Sequence, residues 1–174
     1  MPGFVTHHFF GYDVFRAVEN KMLRYACSKF RSSFLLGLQG PDIFFNHVPA
    51  LLHQDARNIG SFLHENRVNF FFDNCFKELS KASREDKKII LSYVCGFLCH
   101  YALDSSCHPF IYARTNYIPN RSSYEYISAH SDIENVIDGI ILKERKGIKL
   151  SDFKQHTTYL IRGKEKKNNL SFAK

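Results

Sequence analysis

One short stretch of the sequence carries three side chains that could bind a metal ion together. His100, Asp104 and His108 follow one another at intervals of four residues, so on a helix they project from the same face. Imidazole nitrogen and carboxylate oxygen are both common zinc ligands in proteins. Pro109 disfavours helical backbone at the residue before it, so we expect His108 to lie where the helix ends. The spacing therefore predicts a metal site based on this helix.

A second pair, His130 and Glu134, has the same spacing of four residues. A single pair of this kind is expected by chance in a chain of this composition, whereas the triple around Asp104 is not. The simpler interpretation is that these are surface or hydrogen-bonded core histidines. The apolar neighbours of His100 argue against it, because a buried histidine and a buried carboxylate both need partners. A metal ion would supply them.

Other candidate ligands are weaker when taken singly. Asp42 follows Gly40 and Pro41, which end a helix and let the backbone turn the carboxylate inward. For Asp42 and for the histidines at 7, 8 and 64, binding and structural roles stay open. Phe44, Phe45 and Phe62 lie near candidate ligands and could shape a pocket or pack in the core. The remaining histidines, His47, His53 and His156, have no partner at a suggestive spacing, so we expect structural roles for them.

Apolar residues recur mainly at helical spacing, which predicts an all-α fold. Ser83 and Asp86 resemble a capping box at the start of the central helix. We expect a loop at 112–120 and a short helix near 151–160. The main helices are predicted to cover 8–20, 23–31, 56–81, 83–107 and 122–146.

The chain has 174 residues, 44% of them hydrophobic, which suits one domain with a substantial core. We assign residues 1–146 to this domain and 147–174 to a basic, partly disordered C-terminal segment; ten of the 24 Lys and Arg residues lie from Lys143 onward. The net charge of +7 favours association with anions, including transient contact with a membrane surface. The apolar run at 89–103 is too short to span a bilayer, so we expect no transmembrane segment.

Five cysteines, an odd number without a C-x-x-C pair, predict free thiols in a reducing compartment. The N-terminus does not resemble a secretory signal, so we expect a cytoplasmic protein. The sequence contains no P-loop, dinucleotide fingerprint, H-E-x-x-H or nucleophilic-serine motif. The arrangement of the histidines and carboxylates therefore carries the functional prediction.

Taken in order along the chain, these groups resemble the zinc-dependent phospholipase C family, which shares a helical fold with single-strand-specific zinc nucleases. The similarity runs to about Leu142 and is greatest to the cytoplasmic bacterial branch. The chain is shorter at its C-terminus than those relatives. The matching groups are Thr6-His7, Gly40-Pro41-Asp42, Leu63-His64, Gly96 to Asp104, His108-Pro109 and His130-x-x-x-Glu134.

The resemblance implies three zinc sites. It assigns a first zinc ion to Asp42, His64, His100 and Asp104. It assigns a second zinc ion to His108, His130 and Glu134. It assigns a third to His7 together with a bridging Asp104, a site that family enzymes complete with an N-terminal Trp. This chain has no Trp, so we expect two zinc ions, while the third site stays open.

By the same resemblance the protein is a zinc-dependent hydrolase of phosphate esters, with phospholipids among its candidate substrates. Zinc lowers the pKa of a bound water to about 7, which provides hydroxide for attack on phosphorus, and Asp42 would orient that water or accept its proton. Two alternatives stay open. One is a single-strand nuclease, although Glu134 matches the phospholipase branch better. The other is a non-catalytic helical protein that binds zinc for structure alone.

Overall fold

The computed structural model describes residues 3–44, 59–65, 68–116 and 124–153. Every regular element within these ranges is helical and none is a strand, which confirms the all-α prediction. A 3₁₀ turn covers Gly40–Phe44 and another covers Leu150–Asp152. The α-helices in these ranges are α1 (Phe4–Ala17), α2 (Lys21–Lys29), α3 (Arg31–Gly37), α4 (Ile59–Glu65), α5 (Val68–Lys81), α6 (Arg84–Thr115) and α7 (Tyr124–Lys146).

Helix α6 is the centre of the bundle and contacts α1, α2, α3, α5, α7 and the first 3₁₀ turn. It begins as predicted, with the Ser83 side chain accepting a hydrogen bond from the Asp86 amide. By length and composition α6 is also the one helix among the described residues that could span a membrane, with a mean hydropathy of 1.2 over its most apolar window. Core helices of soluble proteins have the same property, and α6 buries Ser92, His100 and Asp104 among its neighbours. Its apolar character is therefore weak support for a membrane span.

Helix α6 continues through Pro109, contrary to the prediction that it ends at His108. A proline inside a helix removes one backbone hydrogen bond, a cost that packing against neighbouring helices can offset. The helix ends at Thr115, where Asn116 adopts the left-handed conformation with φ of 51°. The predicted loop therefore begins after residue 115, and residues 117–120 lie outside the described ranges.

Two glycines, one in each helix, let the backbones of α3 and α6 lie in direct contact. A Cβ atom on Gly37 would lie 2.2 Å from the Tyr93 carbonyl oxygen, and one on Gly96 would lie 2.1 Å from the Phe34 carbonyl oxygen. Any larger side chain at either position would force the helices apart. This crossing lies one helical turn before His100, so it sets the position of that side chain relative to the segment that follows α3.

Helix α1 spans Phe4–Ala17 rather than 8–20, so His7 lies inside the helix. Its first amides are capped by the distant side chain of Asp138, which local sequence cannot reveal. Its end comes early because Asn20 instead caps the start of α2, accepting hydrogen bonds from the amides of Met22 and Leu23. Helix boundaries here depend on which polar side chain reaches the free amides.

The other boundaries differ by smaller amounts. Helix α2 covers Lys21–Lys29, and Arg31–Gly37 forms a helix of its own that the sequence did not reveal. In the predicted helix at 56–81, Ile59–Glu65 and Val68–Lys81 are helical, whereas residues 56–58 and 66–67 lie outside the described ranges. The short C-terminal helix is represented by the 3₁₀ turn Leu150–Asp152, and residues 154–174 are likewise outside.

Two apolar clusters of buried side chains hold the bundle together. The larger cluster lies between α2, α3 and α6, and the smaller joins α1 to α7. All five cysteines are free thiols, as predicted. Val136 and Ile140 on α7 are 60% and 53% exposed, so the buried face of this helix instead carries Asp138 and Leu142. The buried members of the clusters are Cys27, Phe34, Leu38 and Cys99 in the first, and Val5, Phe9 and Leu142 in the second.

Candidate metal centre

The bundle brings five of the eight predicted ligands into one cluster. His100 and Asp104 come from successive turns of α6, His7 comes from α1, Asp42 from the 3₁₀ turn and His64 from α4. Residues more than ninety positions apart in the chain thus meet around a single carboxylate, that of Asp104. Three different helices and a turn must be positioned correctly for this cluster to exist.

The distances within the cluster are those of groups arranged around a common centre. The Oδ2 atom of Asp104 lies 3.4 Å from His100 Nε2 and 3.6 Å from His64 Nε2, while its Oδ1 atom lies 3.2 Å from His7 Nε2. The Oδ1 atom of Asp42 lies 3.2 Å from His64 Nε2 and 3.7 Å from His100 Nε2. Asp104 therefore touches all three histidines and Asp42 touches two of them.

Three of the predicted histidine ligands use Nδ1 in the same way. His100 Nδ1 lies 3.1 Å from the Leu38 carbonyl, His64 Nδ1 lies 2.7 Å from the Gly60 carbonyl, and His108 Nδ1 lies 2.9 Å from the Asp104 carbonyl. A carbonyl oxygen can only accept, so each Nδ1 carries the proton and donates it. The Nε2 atom is then the nitrogen available to a metal ion. Such support of the second nitrogen is the usual environment of a metal-binding histidine.

His100 is held on both sides of its ring. A Cβ atom on Gly40 would lie 2.2 Å from His100 Cδ2, and Gly40 has φ of +52°, which other residues rarely adopt. On another side the His7 ring stacks on the His100 ring with centroids 4.2 Å apart and planes inclined by 15°. The glycine before Pro41 therefore serves a close approach to His100, in addition to ending the helix.

Buried polar atoms in this cluster identify where an ion fits. Within the described part of the chain, His7 Nδ1, His7 Nε2, Asp42 Oδ1, His100 Nε2 and Asp104 Oδ1 are buried and make no hydrogen bond. Leaving such atoms without partners is costly. Four of these five atoms form two pairs of an imidazole nitrogen and a carboxylate oxygen: His7 Nε2 with Asp104 Oδ1, and His100 Nε2 with Asp42 Oδ1. A divalent cation could bind atoms of both kinds. The donor set of imidazole nitrogens and carboxylate oxygens suits zinc.

The charges in the cluster compensate one another. Burial opposes protonation of His64, but the adjacent carboxylates of Asp104 and Asp42 outweigh it and raise the pKa of His64 to about 9. Burial likewise opposes ionisation of Asp104, yet the His100, His64 and His7 side chains hold the pKa of Asp104 well below its usual range. Burial lowers the pKa of His7. A cation bound here would take the place of the His64 proton in balancing the two carboxylates.

Access to the cluster is from the side of Asp42 and His64. The side chains of His7 and His100 are each 2% exposed and that of Asp104 is 8% exposed, whereas those of Asp42 and His64 are 24% and 21% exposed. His64 as a whole residue is exposed while its imidazole turns inward. The cluster therefore has a buried floor and an edge that solvent or a small ligand can reach.

The other three predicted ligands form a second group beside the first. His130 and Glu134 lie one turn apart on α7, with His130 Nε2 at 2.7 Å from Glu134 Oε1. The His108 and His130 rings have centroids 5.6 Å apart. Burial lowers the pKa of both histidines, that of His130 to about 4 with a contribution from His108. Both rings are therefore neutral near pH 7, the form that binds metal ions.

The second group is less tightly gathered than the first. The metal-sized sets found among the described residues are His7 with Asp42 and His100, and His64 with His100 and Asp104, each with its ligand atoms within 4.8 Å. The three residues of the second group do not form such a set. The structure thus brings all eight predicted residues into two adjacent groups, five in the first and three in the second.

Some of the other residues considered as candidates from the sequence are not part of either group. The His8 ring stacks on Phe4 and lines a cavity with Tyr12 and Arg31. Burial lowers the pKa of His8, with smaller effects from Arg31 and Lys146. Phe62 is 45% exposed rather than packed in the core. His47, His53 and His156, together with Phe45, are outside the described residues.

Two residues near these groups were not predicted from the sequence. The Tyr126 hydroxyl lies 3.0 Å from His130 Nδ1, and Asp138 accepts hydrogen bonds from the start of α1. Tyr126, His130, Glu134 and Asp138 follow one another at intervals of four along α7. That spacing was visible in the sequence and could have indicated a polar face of α7, though not the contacts of its members.

The chain matches no curated protein and no solved structure. The sequence model of the family described as zinc dependent phospholipase C matches residues 6–174. The match includes both groups of the metal centre and extends beyond Leu142, where the similarity of the motifs ended. Because this match covers nearly the whole chain, the protein belongs to the zinc-dependent phospholipase C family.

Proposed function

We propose that this protein hydrolyses phosphate esters in the manner of a phospholipase C, using two zinc ions. The first is held by Asp42, His64, His100 and Asp104, and the second by His108, His130 and Glu134. The observation that carries the proposal is the convergence of Asp42, His64 and His100 on Asp104. Among the described residues, Oδ1 of Asp42, Nε2 of His100 and Oδ1 of Asp104 are buried there without a hydrogen bond. Family membership and the zinc-like donor set support it.

Zinc bound at these residues would supply a water of lowered pKa and positive charge opposite the phosphoryl oxygens. The protein side chains would orient these components. The carbonyls of Leu38 and Gly60 fix the rings of His100 and His64 and keep their Nε2 atoms directed at the same centre. Such preorganisation reduces the rearrangement needed when charge develops in the transition state.

Asp42 is the residue that we assign to proton transfer. It is the more exposed of the two carboxylates in the first group, with 24% of its side chain exposed against 8% for Asp104. Asp104 is enclosed by three histidines, so its oxygens are less accessible to solvent water. Asp42 can therefore orient a water at the open edge or accept its proton, and it also contributes a ligand atom to the first zinc ion.

Apolar side chains beside the open edge favour a substrate with an apolar part. Ile43, next to Asp42, is 39% exposed, and Phe62, two residues before His64, is 45% exposed. The 3₁₀ turn and α4, which carry these residues, pack against each other. We propose that this edge contacts the apolar portion of a phospholipid-like ester while the zinc ions hold its phosphate.

Hydrolysis by the zinc-loaded full-length chain tests the proposal. A chromogenic phosphocholine ester, phospholipid vesicles and single-stranded DNA should be compared as substrates, with zinc content measured on the same preparations. We expect hydrolysis of the ester and the phospholipid in preference to DNA. Asp42→Asn should lower the rate by about 100-fold or more, the usual effect of removing a general base. Asp132→Asn, an exposed position on α7, should leave it unchanged.

The alternatives predict different results. Preferential cleavage of DNA would assign the protein to nuclease-like chemistry on the same scaffold. Full zinc content without hydrolysis of any of the three substrates would support a non-catalytic zinc protein and contradict the proposal. Equal rates for Asp42→Asn and the unmodified chain would remove Asp42 from the proton-transfer step.

A further inference from the structure

A buried carboxylate outside the proposed ligands is engaged entirely by the start of α1. Asp138, on α7, is 4% exposed. Its Oδ2 atom accepts a hydrogen bond from the Val5 amide at 2.9 Å. Its Oδ1 atom accepts from the Thr6 amide at 2.9 Å and from the Thr6 hydroxyl at 2.6 Å. These hydrogen bonds join residues more than 130 positions apart in the sequence.

Asp138 thereby acts as the N-cap of α1, supplied from another helix. The local N-cap residue, Gly3, has no side chain to bond the first amides. A Cβ atom on Gly3 would lie 2.3 Å from Asp138 Oδ2, so glycine is what allows the carboxylate to reach them. The partial positive charge at a helix N-terminus also stabilises a carboxylate there. This interaction fixes the first turn of α1 against α7.

The first turn of α1 carries His7, directly after the two amides that Asp138 holds. His7 stacks on His100 and places Nε2 at 3.2 Å from Asp104 Oδ1. Neither ring nitrogen of His7 makes a hydrogen bond among the described residues. No main-chain carbonyl among the described residues holds a ring nitrogen of His7, in contrast to the support that His100 and His64 receive. Its position depends on the backbone of its own helix.

We propose that Asp138 is the positioning residue for His7, and that it makes metal binding at Asp104, which His7 contacts, depend on the placement of α7. Asp138 lies one turn beyond Glu134, so the helix that supplies His130 and Glu134 to the second group also fixes the helix that supplies His7. This inference rests on the proposed metal centre and adds to it a structural connection between its two groups. Asp138 itself binds no metal ion.

The interaction with the start of α1 requires both the negative charge of Asp138 and its two acceptor oxygens. An asparagine keeps the shape, but one of its side-chain atoms becomes a donor and cannot accept from the amide or hydroxyl that it faces. We therefore expect Asp138→Asn to leave one donor of the α1 start without a partner. Thr6→Val removes only the hydroxyl bond, whereas Thr6→Ser retains it. These variants form a graded series of which Thr6→Ser is the conservative member.

The experiment measures zinc affinity and zinc stoichiometry by titration of the metal-free, full-length variants. For the zinc ion held by Asp104 we expect a loss of about 10- to 100-fold in affinity for Asp138→Asn, as for other residues that support ligands. Thr6→Val should show a smaller loss, and Thr6→Ser should bind like the unmodified chain. In a His7→Ala background, Asp138→Asn should have no further effect on zinc affinity.

The control for general destabilisation is Val94→Ala, a buried position of α6 outside the cluster that joins α1 to α7. It should destabilise the metal-free protein through a cavity without lowering zinc stoichiometry. Amide exchange at Val5 and Thr6 in the metal-free protein gives a readout that needs no zinc, and it should accelerate in Asp138→Asn. Thr6→Val provides the same test if Asp138→Asn does not fold.

The outcomes separate this inference from the proposed function. If the unmodified chain binds no zinc, the metal centre itself is wrong. If it binds zinc and Asp138→Asn binds zinc equally well, only the role of Asp138 is wrong. A loss of zinc affinity in Asp138→Asn that persists in the His7→Ala background, or that Val94→Ala reproduces, would show general destabilisation and would also overturn the inference.

Discussion

The Nδ1–H group of His100 donates a hydrogen bond to the main-chain carbonyl of Leu38 over 3.1 Å, and this one contact links the bundle crossing to the metal centre. Leu38 directly follows α3, which meets α6 at Gly37 and Gly96. The Leu38 carbonyl can accept this hydrogen bond only because the backbones of α3 and α6 approach so closely. The orientation of His100 Nε2 toward Asp104 is therefore a consequence of helix packing.

We predict that Gly40→Ala weakens zinc binding and lowers stability. The added Cβ would lie 2.2 Å from His100 Cδ2, so the ring must move from its position beside Asp104. The left-handed backbone at Gly40 adds a strain of about 1–3 kcal/mol for a residue with a side chain. Zinc titration and thermal unfolding of the purified variant measure both effects.

Gly139→Ala is the matched control for that variant. Gly139 lies inside α7, and nothing in the described part of the chain outside its own helix lies within 4 Å of an added Cβ. Alanine should therefore stabilise the helix by roughly 0.5–1 kcal/mol and leave zinc binding unchanged. If Gly40→Ala bound zinc as tightly as Gly139→Ala, the close contact between Gly40 and His100 would not matter to the site.

Gly96→Ala should destabilise the protein although alanine is the better helix former. Its Cβ would lie 2.1 Å from the Phe34 carbonyl oxygen, and a backbone atom cannot move aside as a flexible side chain can. We expect a net loss of about 1–3 kcal/mol in the free energy of unfolding, the usual cost of overpacking. Denaturant unfolding measures it, and a stability equal to or above that of the unmodified chain would contradict the described crossing.

Asp104→Asn should reduce both zinc content and thermal stability. Asp104 contacts His7, His64 and His100, so its charge serves every histidine of the first group. An asparagine retains the size but neither the charge nor both acceptor atoms. We expect the loss of at least one zinc ion per chain by elemental analysis. Asp132→Asn, which is exposed on α7, should lose none; similar losses in both variants would exclude Asp104 as a ligand.

Removal of zinc by a chelator should lower the midpoint of thermal unfolding, and added zinc should restore it. A ligand at 100 times its dissociation constant stabilises the folded state by about 2.7 kcal/mol. For a chain of this size that corresponds to roughly 5–10 °C. The shift should be smaller for Asp104→Asn than for the unmodified chain. A midpoint that is insensitive to the chelator would argue against zinc bound within the fold.

The sequence predicted which candidate ligands share a helix face, because their spacing is local. His100, Asp104 and His108 share a face of α6, and His130 and Glu134 share a face of α7, whatever the rest of the fold does. The general all-α character followed from the periodicity of the apolar residues in the same way. Local patterns of this kind survive without knowledge of the tertiary structure.

What could not be predicted depends on contacts between distant segments. Asp138 caps α1 from more than 130 residues away, which is why the predicted start of that helix was late. Tertiary packing also carries α6 past Pro109, where the local preference predicts an end. The exposed Val136 and Ile140 have the apolar character of core residues, and only the packing of α7 distinguishes them from Leu142.

The number of zinc ions in the purified full-length chain tests the central claim most directly. Elemental analysis after purification without chelator should find at least two zinc ions per chain, because seven proposed ligands lie in two adjacent groups around Asp104 and Glu134. Less than one equivalent, with none regained when zinc is added, would contradict the account.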